Sequence, residues 1–180
     1  SSDLLGELQS QTERISCFAG TMKNINRLDE IIISRAYVSQ ADLLAKTEAI
    51  LTVLAQKYAK QFEVHSELKE QQLNLDISIF LEVLENLIDN AMRFSVQCVR
   101  VEFRYSQSPL NVCVHDDGKG FQQDELSKAV KPYYHGESVG TEHYGMGLYI
   151  CKMLCEKHGG FLRVYNSPGG GACVEFNIAA

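Results

Sequence analysis

Asn86 and Asn90 lie four residues apart in the run Ile79 to Ser95. Apolar residues recur there at 80, 84, 87, 88 and 91, which is helical spacing with one core-facing stripe. Both amides therefore share a face one helical turn apart. A buried amide without a partner costs about 1–3 kcal/mol, so the pair needs either solvent or a ligand. Farther on, Val112, Cys113, Val114 and His115 form a strand-like run that ends in Asp116-Asp117-Gly118-Lys119-Gly120. A carboxylate that closes a strand just before two glycines is placed at the mouth of a site, where glycine lets backbone approach a ligand. Gly145-Met146-Gly147-Leu148 then opens a helical run to His158. Backbone N–H groups at such a helix start attract anions. Gly169-Gly170-Gly171 separates two further strand-like runs. The chemistry on offer is a carboxylate acceptor, two neutral amide oxygens and a glycine-lined anion site.

The order Asn-x-x-x-Asn, Asp-x-Gly-x-Gly, Gly-x-Gly-Leu and a terminal glycine turn resembles the ATP-binding domain of the GHKL superfamily, which includes gyrase, Hsp90, histidine kinases and MutL. Within it, Asn86-Leu87-Ile88-Asp89-Asn90-Ala91-Met92-Arg93-Phe94-Ser95 is similar to the N box of bacterial sensor histidine kinases. The resemblance spans roughly residues 33 to 179. It implies a Bergerat-type α/β sandwich of the α+β class, with helices on one face of a mixed, mainly antiparallel sheet. It also implies ATP and Mg²⁺ as cofactors. By that likeness Asp116 accepts from the adenine amino group, and Gly118 and Gly120 let the chain pass the base. Asn90 binds the metal, and Asn86 assists at phosphate or metal-bound water as the catalytic amide. Arg93 meets a phosphate, Phe94 packs near the base, and Tyr133 belongs to the lid. Gly145, Met146, Gly147 and Leu148 form the phosphate-binding turn.

One position separates the subfamilies. Gyrase- and Hsp90-like ATPases carry a water-activating glutamate four residues before the metal asparagine. Here Asn86 stands there, and an amide has no basicity to spare. Such a site is expected to hydrolyse ATP slowly and to keep the γ-phosphoryl group for an acceptor, here a histidine imidazole. Glu82 lies a turn before Asn86, and Glu85 points off its face. Two positions depart from the family pattern: His143 replaces the first glycine of the phosphate turn, and His135 occupies an often basic lid position. A P-loop is excluded, because no Gly-x-x-x-x-Gly-Lys-Ser/Thr occurs. Gly118-Lys119-Gly120 lacks the third glycine of a dinucleotide fingerprint.

Positioning these groups calls for a modest domain. The chain has 180 residues, 45% of them hydrophobic, so one substantial core is expected, with at most a small attachment. A net charge of -6 argues against nucleic acid as the main partner. No apolar run is long enough to span a membrane, and the polar N-terminus has no secretory pattern. A cytoplasmic domain of a membrane-anchored parent is expected.

Residues 3 to 32 are expected to form one helix. Leu8, Ile15 and Met22 repeat at seven, as do Phe18, Ile25 and Ile32. That stripe needs a partner helix, or else folds back on its own domain. By resemblance, residues 1–32 are the second helix of a dimerisation hairpin and 33–180 the ATP-binding domain. No histidine precedes His65, so the phosphoacceptor histidine is expected outside this fragment. The implied partners are a phosphoacceptor hairpin of the same family, a response regulator receiver domain and a second copy in a homodimer. A non-catalytic nucleotide-binding scaffold and a serine kinase of the anti-sigma type remain open as alternatives.

Strands are expected at 32–38, 62–68, 72–75, 98–105, 112–116, 161–166 and 172–178, with 62–68 and 72–75 joined by the turn at Lys69-Glu70. Helices are expected at 41–58, from a cap at Asp76 or Ser78, at 124–130 and at 148–158. The stretch between Gly120 and Gly145 breaks pattern, as a functional loop would. Six cysteines, at 17, 98, 113, 151, 155 and 173, contain no Cys-x-x-Cys and suit reduced core thiols. Cys151, Cys155 and His158 share a helix face, but their apolar neighbours Leu148 and Leu154 favour packing over a metal.

Overall fold

The computed structural model describes residues 4–9, 11, 12, 23, 26–105, 108–131 and 147–180. Its elements run β1 (Ala36–Ser39), α1 (Gln40–Tyr58), β2 (Gln61–Ser66), β3 (Gln72–Leu75), α2 (Ile77–Phe94), β4 (Cys98–Arg104), β5 (Leu110–Asp116), α3 (Gln123–Leu126), α4 (Gly147–Lys157), β6 (Phe161–Asn166) and β7 (Ala172–Ile178). Five strands form one sheet in the order β2-β4-β5-β7-β6, and β1 pairs with β3 in a separate two-stranded sheet.

In the larger sheet β2 and β4 are parallel, and the other neighbours are antiparallel. The fold is thus α+β with a mixed sheet. A parallel pair needs a crossover, and here the chain leaves β2, forms β3 and α2, and returns as β4. The two strands expected at 62–68 and 72–75 are present as β2 and β3 on either side of the turn at Lys69-Glu70. Those segments are neighbours in sequence but lie in different sheets, because β2 takes β4 as its partner while β3 takes β1.

The period-2 pattern of the strands divides the sheet into two faces. Val99, Val101, Phe103, Val112, Val114, Val174 and Phe176 are buried against the helices. Phe80 of α2 meets Phe103 and Phe176 with ring centroids 6.5 and 5.8 Å away. The opposite face carries charged pairs, among them Arg163–Glu175 at 2.6 Å and Arg104–Glu102 at 2.9 Å.

α2 is the central helix, with Ile79, Phe80, Val83, Leu84, Leu87, Ile88, Ala91 and Met92 buried along one side. Asp76 caps it, and Oδ1 accepts from Ser78 and Ile79 N–H groups at 3.1 and 3.2 Å. Its Oδ2 also accepts from Ser34 N–H at 2.8 Å, which ties the entering chain to the helix start. At the other end, Lys60 donates to the carbonyls of Ser95 and Val96 at 2.6 and 2.7 Å. Asp89 links α2 to α1, accepting from Tyr58 Oη at 2.9 Å and pairing with Lys57 at 3.3 Å.

Described residues before position 31 are helical, but the helix ends at 30, and Ile32 is 87% exposed. Positions 15, 18, 22 and 25 of the heptad stripe lie outside the described residues. Leu28 is buried with the domain core, and Arg27 pairs with Glu82 of α2 at 2.7 Å. No helix among the described residues is long and apolar enough to cross a membrane.

Candidate nucleotide site

α2 places Asn86 and Asn90 on the side turned away from its buried stripe. Asn86 is exposed, and its Nδ2 donates to Glu82 O at 2.8 Å. That bond leaves Oδ1 turned toward α4, where a Cβ built on Gly147 would lie 3.9 Å from it. Asn90 is half-buried, and its side chain has no hydrogen-bond partner among the described residues. Deeper in, Cys151 of α4 lies 3.9 Å from the Val83 carbonyl, so α4 follows α2 closely from its first turns.

At the C-terminal end of α2, the β5 loop closes in. A Cβ on Gly118 would stand 2.2 Å from Phe94 O and 2.9 Å from Asp116 Oδ1, so only glycine fits. Phe94 itself is 38% exposed, so its ring is not part of the buried core. Asp116 Oδ1 accepts from Gly118 N–H at 2.8 Å and Ala172 N–H at 3.2 Å. Among the described residues its Oδ2 receives nothing. Burial raises the Asp116 pKa, and the two backbone donors and His115 work against that rise.

The neighbouring carboxylate has a different task. Asp117 accepts from Val96, Gln97 and Cys98 N–H groups at 2.8–3.1 Å, bracing the turn between α2 and β4. Partial burial would raise its pKa, but these backbone donors outweigh it and the net shift is downward. Gly120 has φ of +74°, and Asn166 holds the next residue by accepting from Phe121 N–H at 2.7 Å and donating to Phe121 O at 2.8 Å. Neither Asp117 nor Asn166 was marked by the sequence patterns. An aspartate beside another aspartate and an asparagine before a turn carry no signal of such distant partners.

Arg93 sits 2.6 Å from Asp89 on the same helix. Leu148 is half-buried and packs on the core. Tyr133, Gly145 and Met146 lie outside the described residues, as do His135 and His143. Cys151, Cys155 and His158 are all buried beside Leu154, in agreement with packing. The expectation of reduced, buried thiols holds for Cys113, Cys151, Cys155 and Cys173, while Cys98 is half-buried. Cys113 and Cys173 lie on the sheet face away from the helices, because their strand parity opposes that of Val112, Val114 and Val174.

The arrangement is a strip along α2. It begins at Asp116, Gly118 and Phe94, passes Asn90 and reaches Asn86 beside Gly147. Eight residues of helix separate Asn86 from Phe94, roughly 12 Å of axis. A carboxylate acceptor at one end and an anion-attracting helix start at the other suit an elongated ligand with a basic-edged ring and a phosphate tail.

Comparison with known proteins agrees with that chemistry. Residues 75–180 match the family described as "Histidine kinase-, DNA gyrase B-, and HSP90-like ATPase". Sensor protein KdpD of Clostridium acetobutylicum is 30% identical over 129 residues, which is 68% of this chain and 14% of that protein. The chain spans between 14% and 44% of the length of the curated relatives it matches. Full-length ShkA in complex with AMPPNP superposes with a TM-score of 0.77 at 20% identity, covering 99% of this chain and 39% of that one. The catalytic domain of histidine kinase ThkA gives 0.70 at 19% identity, covering 81% and 95%.

Proposed function

Since the chain belongs to the histidine kinase-, DNA gyrase B- and HSP90-like ATPase family and carries the ATP-binding catalytic domain of a sensor histidine kinase, we propose that it binds Mg-ATP along α2 and delivers the γ-phosphoryl group to a histidine outside this chain. The observation that supports this reading best is the strip itself, with Asp116 Oδ2 unengaged among the described residues at one end and Asn86 beside the start of α4 at the other.

In this reading Asp116 Oδ2 accepts from the adenine amino group, while Oδ1 stays on Gly118 and Ala172. Phe94 covers the base, and Gly118 and Gly120 bring backbone close to it. The backbone at Gly145, Met146 and Gly147 and the guanidinium donors that Arg93 does not spend on Asp89 take the phosphates; Tyr133 and Leu148 border the lid. Amide oxygens at Asn86 and Asn90 suit a hard cation that prefers oxygen ligands and keeps several waters. Asn90, with its side chain uncommitted, would hold Mg²⁺, which supplies charge neutralisation at the phosphates. The chain's own residues bind, orient and exclude water.

Among the described residues no carboxylate is set up to activate water there. Asn86 is an amide, and Glu82 is held by Arg27 at 2.7 Å. The phosphoryl group is therefore kept for an acceptor imidazole. Residues 1–32 belong to the dimerisation hairpin in this proposal, and the parent is a membrane-anchored homodimer whose phosphohistidine serves a response regulator receiver domain.

The test has two stages. Calorimetric titration of ATP with and without Mg²⁺ should show Mg-dependent binding in the micromolar to millimolar range, about -8 to -4 kcal/mol. An intact phosphoacceptor hairpin added with γ-labelled ATP should then acquire label. Binding without transfer would point to a non-catalytic nucleotide-binding scaffold; no binding would overturn the reading.

A further inference from the structure

The outward face of the sheet carries a second constellation, on strands that also build the nucleotide site. Cys113, His115 and Cys173 place one ligand atom each within 4.8 Å of one another. The register explains why. His115 of β5 stands directly opposite Cys173 of β7, and Cys113 lies two residues along β5 on the same face. Glu102 of β4 stands opposite Cys113, and its Oε2 is 3.6 Å from His115 Nε2.

The imidazole is already oriented. Nδ1 lies 3.3 Å from Ser167 Oγ, and Nε2 lies 3.9 Å from Cys173 Sγ. The Ser167 hydroxyl can accept a proton carried on Nδ1, and in that tautomer Nε2 keeps its lone pair, the usual support for a ligating histidine. Both sulfurs are buried, and His115 is shielded from solvent with 15% of its side chain exposed. Zn–S and Zn–N bonds of about 2.3 and 2.0–2.1 Å put the ligand atoms of a tetrahedral site about 3.5–3.8 Å apart. The existing spacings need only small side-chain adjustments to reach that.

We propose that Cys113, Cys173 and His115 form a binding site for a thiophilic d¹⁰ cation of the Zn²⁺ type, clamping β5 to β7 behind Asp116. Three protein ligands leave a fourth position, which Glu102 or water completes. Two thiolates and an imidazole select Zn²⁺ over the hard Mg²⁺ of the nucleotide strip, so the two sites do not compete.

Titration of the reduced, metal-free chain with Co²⁺ tests this directly. One equivalent should generate thiolate-to-cobalt charge-transfer absorption, which one equivalent of Zn²⁺ then abolishes. Cys113→Ser and Cys173→Ser should each weaken binding at least tenfold, and Cys98→Ser should leave it unchanged. His115→Gln should shift the absorption. Ser167→Ala, which removes no ligand, should weaken binding by about 10–100-fold. If a cysteine variant fails to fold, the His115 and Ser167 variants decide. Absence of the band in the wild-type chain, or equal affinity in the His115 and Ser167 variants, would overturn the proposal.

Discussion

The backbone carbonyl of Asp116 occupies the space that a side chain on Gly171 would need. A Cβ there would stand 1.9 Å from Asp116 O, and Gly171 also has φ of +82°. The glycine turn after β6 is thus packed against the strand end that presents the Asp116 carboxylate. Gly171→Ala should destabilise the domain by more than about 2 kcal/mol, through strain and collision with backbone. Gly169→Ala, in open space in the same turn, should stay within about 0.5 kcal/mol. Urea unfolding of both variants checks this, and equal losses would refute the assignment.

Asp116→Asn separates binding from folding. Its Oδ1 would continue to accept from Gly118 and Ala172, but an NH₂ would replace the acceptor Oδ2 and, in the proposed pose, meet the adenine amino group donor to donor. ATP affinity should fall at least tenfold, about 1.4 kcal/mol, with little change in melting temperature. Asp116→Ala should lose both affinity and stability. Unchanged calorimetric affinity in Asp116→Asn would remove Asp116 from the site.

Asn90→Ala should abolish the gain in ATP affinity that Mg²⁺ brings, while Mg-free binding changes by less than about threefold. The half-buried amide has no partner among the described residues, so its loss should cost little stability. Titrations at matched ionic strength, with and without Mg²⁺, measure the difference. A retained Mg²⁺ effect would place the cation elsewhere.

His158 gives the fold a pH dependence of known sign. Its Nε2 accepts from Asp76 N–H at 2.8 Å, so the ring must be neutral for the bond to exist. Burial lowers its pKa, with the Arg35 charge acting the same way and Asp76 against it. The unfolded chain, near 6.5, therefore takes up the proton first as pH falls. Stability from this group is complete above about pH 6.5 and is lost as pH drops toward the folded value. Between pH 7 and 5 the wild-type melting temperature should fall more steeply than that of His158→Gln, whose amide oxygen can accept the same bond. Parallel curves would show that His158 does not titrate in this way.

Much of the molecule was legible in residue order. The 3.6-residue stripe of α2, the alternation of Val99, Val101 and Phe103, and the glycine-flanked Asp116 depend on near neighbours. A periodic pattern dictates which face is buried whatever the partner is. The site motifs were legible for the same reason: Asn86 and Asn90 share a face by helical geometry alone, and Gly118 sits two residues from the carboxylate it approaches.

Other features depend on which strands become neighbours, and no local pattern encodes that. The segments 62–68 and 72–75 are strands joined by a short turn, yet they lie in different sheets, β2 beside β4 and β3 beside β1. Asp116 and Asp117 are adjacent and chemically identical. One ends β5 with an oxygen that receives nothing among the described residues, and the other, in the bend that follows, accepts from Val96, Gln97 and Cys98 and braces α2 against β4. Cys113 and Cys173 are sixty residues apart in the chain and bring their sulfurs within 4.8 Å only because β7 lies beside β5. Residue types and short-range periodicity determined the nucleotide chemistry, whereas strand order, a long-range outcome of core burial, decided which side chains meet on the outer face.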